Sequence, residues 1–376
     1  MSLTLLEGNE AVARGAVAAG CRFFAGYPIT PATTILNAML SLLPPRAGIC
    51  LQAEDEIASI GACLGASMAG LKVMTATSGP GISLYSEQIS FAIGSEIPIV
   101  IVDVQRLGPS TGSATRGADG DVNFLRWGNS GGLPVIVLVP VNVADCFTLT
   151  IQAFNLAERF RCPVFVASNK EIAMTRESVD VDALHIPELI DRTPPPKDRE
   201  FLPFEVREGR AVPDFLPIGG TVPVRQTSST HGVNGYITTD HDEIAAMLKR
   251  LKTKLVSAVD EFSFHESLQS AKARTLIISY GVTSRAARAV FHELEGSAHP
   301  VSLLILKTIW PVPEAVICRA ARNVERVLVV EMNLGQYVHE IERILPAKTV
   351  ELLAQMDGRL ITPQAIKEKI FNGYDE

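Results

Sequence analysis

The sequence predicts an α/β fold made of two parallel-sheet domains of unequal size. Three observations carry this. Short runs rich in Val and Ile alternate with longer amphipathic stretches, the pattern of strands buried on both faces between covering helices. Turn-forming segments follow the strand ends: Tyr27-Pro28-Ile29-Thr30-Pro31, Glu54-Asp55-Glu56, Thr77-Ser78-Gly79-Pro80-Gly81, and a polar stretch from Gln105 to Asp121. The alternation fails between Pro187 and Pro223 and resumes near Arg274, which separates two sheets. The bounds expected are residues 1–186 for the first domain, 187–265 for a proline-rich connection with a long helix, and 266–376 for the second domain.

In chain order, Glu10 to Gly20 reads as an Ala/Val-rich helix with Gly20 at its C-terminal stop. Arg22 to Gly26 is a strand, and Thr33 to Leu43 a helix stopped by Pro44-Pro45. Ile49 to Ala53 is the second strand. Glu54-Asp55-Glu56 then opens a helix from Ile57 to Ala69, where carboxylates suit the positive helix N-terminus. Gly61, Ala62, Gly65, Ala66 and Ala69 give that helix a face of small residues, for tight packing on the sheet or for a subunit or cofactor contact. Val73 to Thr77 is a strand, followed by one helix reaching Gly94. Ile97 to Val104 is strongly β-branched, and the segment after it is too long for a simple connector. Pro134 to Val139 and Pro163 to Ser168 are strands flanking a helix from Asn142 to Phe160. Asp240 to Glu261 is a long amphipathic helix. The second domain repeats the alternation with strands at Thr275–Tyr280, Val301–Leu306 and Arg326–Glu331. Its helices are at Ser284–Leu294, Pro313–Ala321 and Tyr337–Arg343.

Composition narrows the function. The net charge of −7 argues against a broad nucleic-acid surface. No apolar run reaches the roughly 18 residues of a membrane span, and the first residues lack the basic and apolar regions of a signal peptide. Cys21, Cys50, Cys63, Cys146, Cys162 and Cys318 are scattered, with none spaced as a cluster or zinc ligand pair. They read as small apolar residues of a reducing cytoplasm, so no metal site is expected in this chain.

Loops that follow parallel strands share one sheet edge, where ligands bind. Glu56, beside small residues at a helix start, can be partly desolvated and share a proton with a ring nitrogen; the plainer reading is a solvated carboxylate. Thr77-Ser78-Gly79-Pro80-Gly81 resembles a phosphate-cradling turn but lacks the lysine of a P-loop. Arg106 can grip a carboxylate bidentately, or pair with Asp103 or Asp121. His231 is the one histidine in a suggestive loop, and the seven histidines form no triad.

Taken as an ordered set, these segments resemble the α subunit of the 2-oxoacid:ferredoxin oxidoreductases, from Glu7 to about Arg343. Tyr27-Pro28-Ile29-Thr30-Pro31 is similar to the family's YPITP signature. The helix from Glu56 resembles the glutamate helix of thiamine-diphosphate pyrimidine-binding domains. Arg106-Leu107-Gly108-Pro109-Ser110-Thr111-Gly112, Trp310-Pro311-Val312-Pro313 and Glu331-Met332-Asn333-Leu334-Gly335-Gln336 match further family segments.

The resemblance implies a pyrimidine-type thiamine-diphosphate domain plus a smaller α/β domain of the transketolase C-terminal kind. It implies that Glu56 hydrogen-bonds the aminopyrimidine N1′ and so promotes loss of the thiazolium C2 proton. Thr77, Ser78 and Gly79 would lie against the pyrimidine. Tyr27, Pro28, Thr30, Arg106, Ser110 and Thr111 would meet the substrate. Relatives carry Gly-Pro-Ser-Thr-Gly-x-Pro-Thr and then Gln-Gly-Asp. This chain has Ser113-Ala114-Thr115 and Asp119-Gly120-Asp121 at those places, and Ser130 where a histidine is common. Gly120-Asp121-Val122 is not the Gly-Asp-Gly segment that holds magnesium and diphosphate. The implied enzyme is therefore a hetero-oligomer: a β subunit supplies Mg2+, the diphosphate site and a [4Fe-4S] cluster, and small γ/δ subunits remain open. The implied reaction is CoA-dependent oxidative decarboxylation of a 2-oxoacid with ferredoxin as acceptor, or its reverse, with 2-oxoglutarate favoured over a branched-chain or aryl oxoacid. The rivals are a transketolase-like carboligase and a non-catalytic structural or regulatory subunit of the same fold.

Overall fold

The computed structural model describes residues 3–184 and 186–372. The outer limits of the first and last predicted domains, and His185, lie outside the described residues.

Fourteen strands are described: β1 Leu3–Glu7, β2 Phe23–Gly26, β3 Ile49–Gln52, β4 Val73–Thr77, β5 Ile99–Gln105, β6 Ile136–Leu138, β7 Pro163–Asn169, β8 Arg176–Asp180, β9 His265–Leu268, β10 Thr275–Tyr280, β11 Val301–Leu306, β12 Thr308–Trp310, β13 Arg326–Glu331 and β14 Thr349–Ala354. The larger sheet has the order β12-β6-β7-β5-β4-β2-β3 and the smaller β14-β13-β10-β11-β9. Within the larger sheet every pairing from β6 to β3 is parallel. All seven residues of β5 and of β7 are buried, which is why both read as continuous apolar runs rather than alternating ones.

The predicted elements sit where the pattern puts them, with three local differences. The helix expected after Thr77 is two helices, Gly79–Leu84 and Ser86–Gly94, meeting at Tyr85. Tyr85 is fully buried, with its hydroxyl 2.9 Å from Thr75 Oγ1, so the break lets the ring reach the sheet. The long helix His241–Val256 is capped by Asp240, whose carboxylate accepts from the amides of Asp242 and Glu243, but it gives way near Val256 to a short 3-10 turn, Val259–Phe262. Short strands at edges escaped the pattern: β1 with β8, β9, β12 and β14.

Strand β12 pairs antiparallel with β6, so the second half of the chain contributes to the first half's sheet. The Met332–Gln336 turn then grips the end of the Gln105–Asp121 loop. Asp119 N donates to Met332 O at 2.8 Å, Asn333 Nδ2 to Asp119 O at 3.0 Å, and Gln336 Nε2 to Gly120 O at 2.6 Å. Buried Glu331 underpins the turn by accepting from Tyr280 Oη and from the amides of Tyr337 and Val338.

The connection between β8 and the long helix has no strand and no α-helix among its described residues, yet buried ions fasten it. Arg192 pairs with Glu158 at 2.7 Å and donates to the carbonyls of Ser67 and Leu71. Buried Arg161 donates to Asp214 O at 3.0 Å, and fully buried Glu96 fastens the long helix beyond by taking both Arg250 and Lys254. Removing one partner of such a pair costs about 3–5 kcal/mol.

Candidate functional site

Four adjacent strands, in the order β5-β4-β2-β3, deliver the four predicted loops to one edge. The helix after β3 runs Glu56–Met68. Asp55 caps it, its carboxylate accepting from Ala58 N at 2.7 Å. The cap fixes the first turn, and Glu56 leaves it buried, at 8% exposure.

Gly81 explains how a glutamate fits there. A Cβ on that residue would stand 2.9 Å from Glu56 Cγ and Oε1, and 2.0 Å from Thr77 Oγ1. Only glycine allows the helix after β4 to approach so closely. The hydroxyls of Thr77 and Ser78 are fully buried and have no hydrogen-bond partner within 3.5 Å among the described residues. Buried hydroxyls normally find a partner, so two orphans beside a buried carboxylate mark a place for a polar ligand.

Arg106, at the end of β5, is buried and makes no ion pair among the described residues; Nη1 donates to Thr30 O at 2.5 Å and Nη2 to Thr111 O at 2.8 Å. The pairing with Asp103 or Asp121 that the sequence left open does not form as a direct contact. Burial pulls the guanidinium below its ordinary range, and the nearby charges of Asp121 and Glu56 oppose this. Its Nε has no partner among the described residues. A buried cation held by two carbonyls can still bind an anion.

The structure therefore brings Glu56, Thr77, Ser78, Gly79 and Arg106 together. Thr30 and Thr111 reach Arg106 through their carbonyls, with exposed side chains. Tyr27, Pro28 and Ser110 stand on the same loops, and no hydrogen bond links them to Glu56 or Arg106 among the described residues; Tyr27 is 39% exposed. His231 is elsewhere. Its ring packs 3.8 Å from that of Phe204, Nδ1 lies 2.7 Å from Ser229 O, and burial holds it below the ordinary histidine range.

Sequence reasoning missed two participants. Gly81 was read only as part of a turn. Asp103 was considered only as a partner for Arg106, although a lone carboxylate within Ile-Val-Ile-Val-Asp-Val is itself a signal. No group of three or more His, Cys, Asp or Glu able to hold a metal occurs among the described residues. A cavity of about 680 Å3 opens away from this edge, between Trp127, Val256, Trp310 and Glu314, and contains none of the residues above.

The fold defines a class: an α/β chain consistent with a pyrimidine-type thiamine-diphosphate domain plus a second, smaller α/β domain. Two family models match. Residues 14–250 match "Pyruvate flavodoxin/ferredoxin oxidoreductase, thiamine diP-bdg", and residues 273–366 match "Pyruvate:ferredoxin oxidoreductase core domain II". The chain belongs to this family, the 2-oxoacid:ferredoxin oxidoreductases, as an α-type subunit. It is 40% identical to the 2-oxoglutarate synthase subunit KorA of Methanothermobacter marburgensis, covering 97% of both chains. It is 38% identical to the subunit of the same name from Methanocaldococcus jannaschii, covering 98% of this chain and all of that one. A solved 2-oxoglutarate:ferredoxin oxidoreductase from Magnetococcus marinus, with 2-oxoglutarate, coenzyme A and succinyl-CoA bound, superposes with a TM-score of 0.92 at 31% identity. The match covers 98% of this chain and 65% of that one. No helix among the described residues is long and apolar enough to cross a membrane.

Proposed function

We propose that this chain is the α subunit of a thiamine-diphosphate- and CoA-dependent 2-oxoacid:ferredoxin oxidoreductase. It would convert 2-oxoglutarate to succinyl-CoA and CO2 with reduction of ferredoxin, or run the reverse. The names of its full-length relatives support the substrate. The observation that carries the site is the buried Glu56 carboxylate seated against Gly81, beside the orphaned Thr77 and Ser78 hydroxyls.

The buried carboxylate and the two unpartnered hydroxyls suit the aminopyrimidine half of thiamine diphosphate. When bound, that cofactor would supply the nucleophilic carbon and the electron sink. Glu56 would hold and move a proton at a ring nitrogen. Thr77, Ser78 and Gly79 position the ring. Arg106, held by the carbonyls of Thr30 and Thr111, binds the oxoacid carboxylate, and Tyr27, Pro28 and Ser110 shape the mouth. The division at 186 and 265 belongs to the same proposal.

A β subunit would complete the site with Mg2+, the diphosphate contacts and a [4Fe-4S] cluster, with ferredoxin as the acceptor and small further subunits joining in some assemblies. The printed name "subunit" of the relatives supports an assembly. The six cysteines are all free, which supports a reducing cytoplasm. Burial pushes Cys21 up to about 12 and Cys50 to about 11, unlike reactive thiols.

The test is co-production with the partner subunit. The complex should form acyl-CoA and reduce ferredoxin faster with 2-oxoglutarate than with a branched-chain oxoacid. The purified chain alone should be colourless and inactive. A complex inert towards every 2-oxoacid contradicts the assignment; preference for a branched chain changes the substrate only.

A further inference from the structure

Asp103 and Asp121 form a buried carboxyl pair in the wall of this pocket. Asp103 lies on β5 in register with Thr77 of β4, so the two side chains share one face of the sheet. It is fully buried, and among the described residues no donor reaches either of its oxygens. The Asp121 carboxyl meets it within hydrogen-bond reach. Asp121 Oδ2 has no donor among the described residues and lies 3.6 Å from where a Cβ on Gly79 would stand. The pair therefore spans from the floor beside Thr77 to the mouth beside Gly79. A second observation points to a ligand: the Thr77 and Ser78 hydroxyls and Arg106 Nε, all in residues more than nine-tenths buried, are also unpartnered among the described residues.

Two carboxylates this close repel unless one keeps its proton. The environment assigns the proton to Asp103. Burial, then the Asp121 charge, push Asp103 well above the ordinary range. Burial raises Asp121 less, to about 6, because Asp103 donates to it and Arg106 is near. At neutral pH the pair carries one negative charge. When it loses its last proton to solvent it carries two, close to the cation proposed to bind the substrate.

We propose that Asp103 and Asp121 share one proton and thereby set the charge of the wall that the oxoacid carboxylate meets, so that losing this proton weakens oxoacid binding. The inference rests on the reading of the pocket as an oxoacid site. Asp103 and Asp121 act through Arg106 as positioning residues. One carboxylate, Asp119, and one cation, Arg106, bear on the pair directly, and two more carboxylates, Glu331 and Glu56, bear on those. Asp119 accepts from Asn169 Nδ2 at 2.7 Å and is pushed up to about 7 by burial; Glu331 lies beyond it. Arg106 lies within the fields of both Asp121 and Glu56.

The experiment uses the assembled enzyme. KM for 2-oxoglutarate should rise roughly tenfold or more as pH climbs through the pair's last ionisation, the effect of one added charge at this range, while kcat follows a separate profile. Asp103→Asn keeps a neutral donor towards Asp121 but cannot ionise, so that rise should vanish. Asp119→Asn should leave it in place, which separates the pair from its neighbour. Infrared difference spectra of the substrate-free complex give a readout independent of turnover. The wild type should lose the carbonyl stretch of a protonated carboxylic acid on the same alkaline step, and Asp103→Asn should lack that band. An unchanged KM rise in Asp103→Asn, or a wild type with no such band to lose, overturns the proposal. Should Asp103→Asn fail to assemble, the wild-type and Asp119→Asn spectra still decide. Arg106→Ala separates the two readings: if it abolishes oxoacid binding while Asp103→Asn leaves the pH profile intact, the oxoacid site stands and the pair's role falls.

Discussion

Replacing Gly81 with alanine adds one methyl group where the structure has no room for it. The new Cβ would stand 2.0 Å from Thr77 Oγ1 and 2.9 Å from Glu56 Cγ and Oε1. Ordinary contact needs about 3.5 Å, so Thr77 must give by about 1.5 Å and Glu56 by about 0.6 Å. Overpacking of this kind costs about 1–3 kcal/mol, a few degrees of melting temperature for a chain of this length. The functional cost should be of similar size, up to about 10²-fold, since misplacing a catalytic group by about 1 Å costs that much. The assay is kcat in the reconstituted complex beside a thermal melt. Adding Thr77→Ala relieves the 2.0 Å contact but not the contacts with Glu56, so the melt should recover while kcat stays low. A Gly81→Ala enzyme with wild-type kcat would refute the close seating of Glu56 against this turn.

Arg106→Ala should raise KM for the oxoacid while leaving the thiamine cofactor bound. One lost charge-assisted contact is worth about 1.5–3 kcal/mol, or about ten- to 150-fold; an unchanged KM removes Arg106 from the substrate site. Glu96→Gln strands Lys254 and Arg250, and should lower unfolding free energy by about 3–5 kcal/mol, read from denaturant titration. Burial alone would push Glu96 up, but Lys254, Arg250 and Arg161 outweigh it and hold it at about 2. Its folded value is depressed, so its stabilisation is complete above the unfolded value of 4.5 and fades as pH falls towards about 2. Acid unfolding between about pH 5 and 2 should therefore be shallower in Glu96→Gln than in wild type.

The regular elements were legible because burial on both faces leaves a plain record. Ile99–Gln105, Pro163–Asn169 and Val301–Leu306 are apolar almost throughout, and the structure buries every residue of each. Edge strands leave a weaker record. His265–Leu268 is half exposed and reads as polar, and Thr308–Trp310 has only three residues, so its pairing with a distant strand cannot be seen locally. Much of the site was legible as residue types following strand ends: Glu56, Ser78 and Arg106 arrive at one edge. The Glu56–Gly81 approach and the Asp103–Asp121 pairing were not: the first brings together two helices that follow different strands, and the second needs the long loop after β5 to fold back on its own strand. The grip of Asn333 and Gln336 on Asp119 and Gly120 spans more than 200 residues and is a product of tertiary packing.

The central claim is that Glu56 moves the proton that activates the cofactor, and one measurement reaches it without passing through the later steps. Glu56→Gln keeps the size of the side chain and the cap at Asp55, but cannot exchange a proton with the ring nitrogen. Exchange of the thiazolium C2 proton with deuterium can be followed in the assembled complex, with cofactor occupancy checked separately. The account predicts exchange slower by about 10²–10⁴-fold, the usual contribution of a positioned acid–base group, with occupancy and assembly retained. Exchange at the wild-type rate in Glu56→Gln would contradict it and move the search to Glu54, two residues earlier and exposed at the same edge.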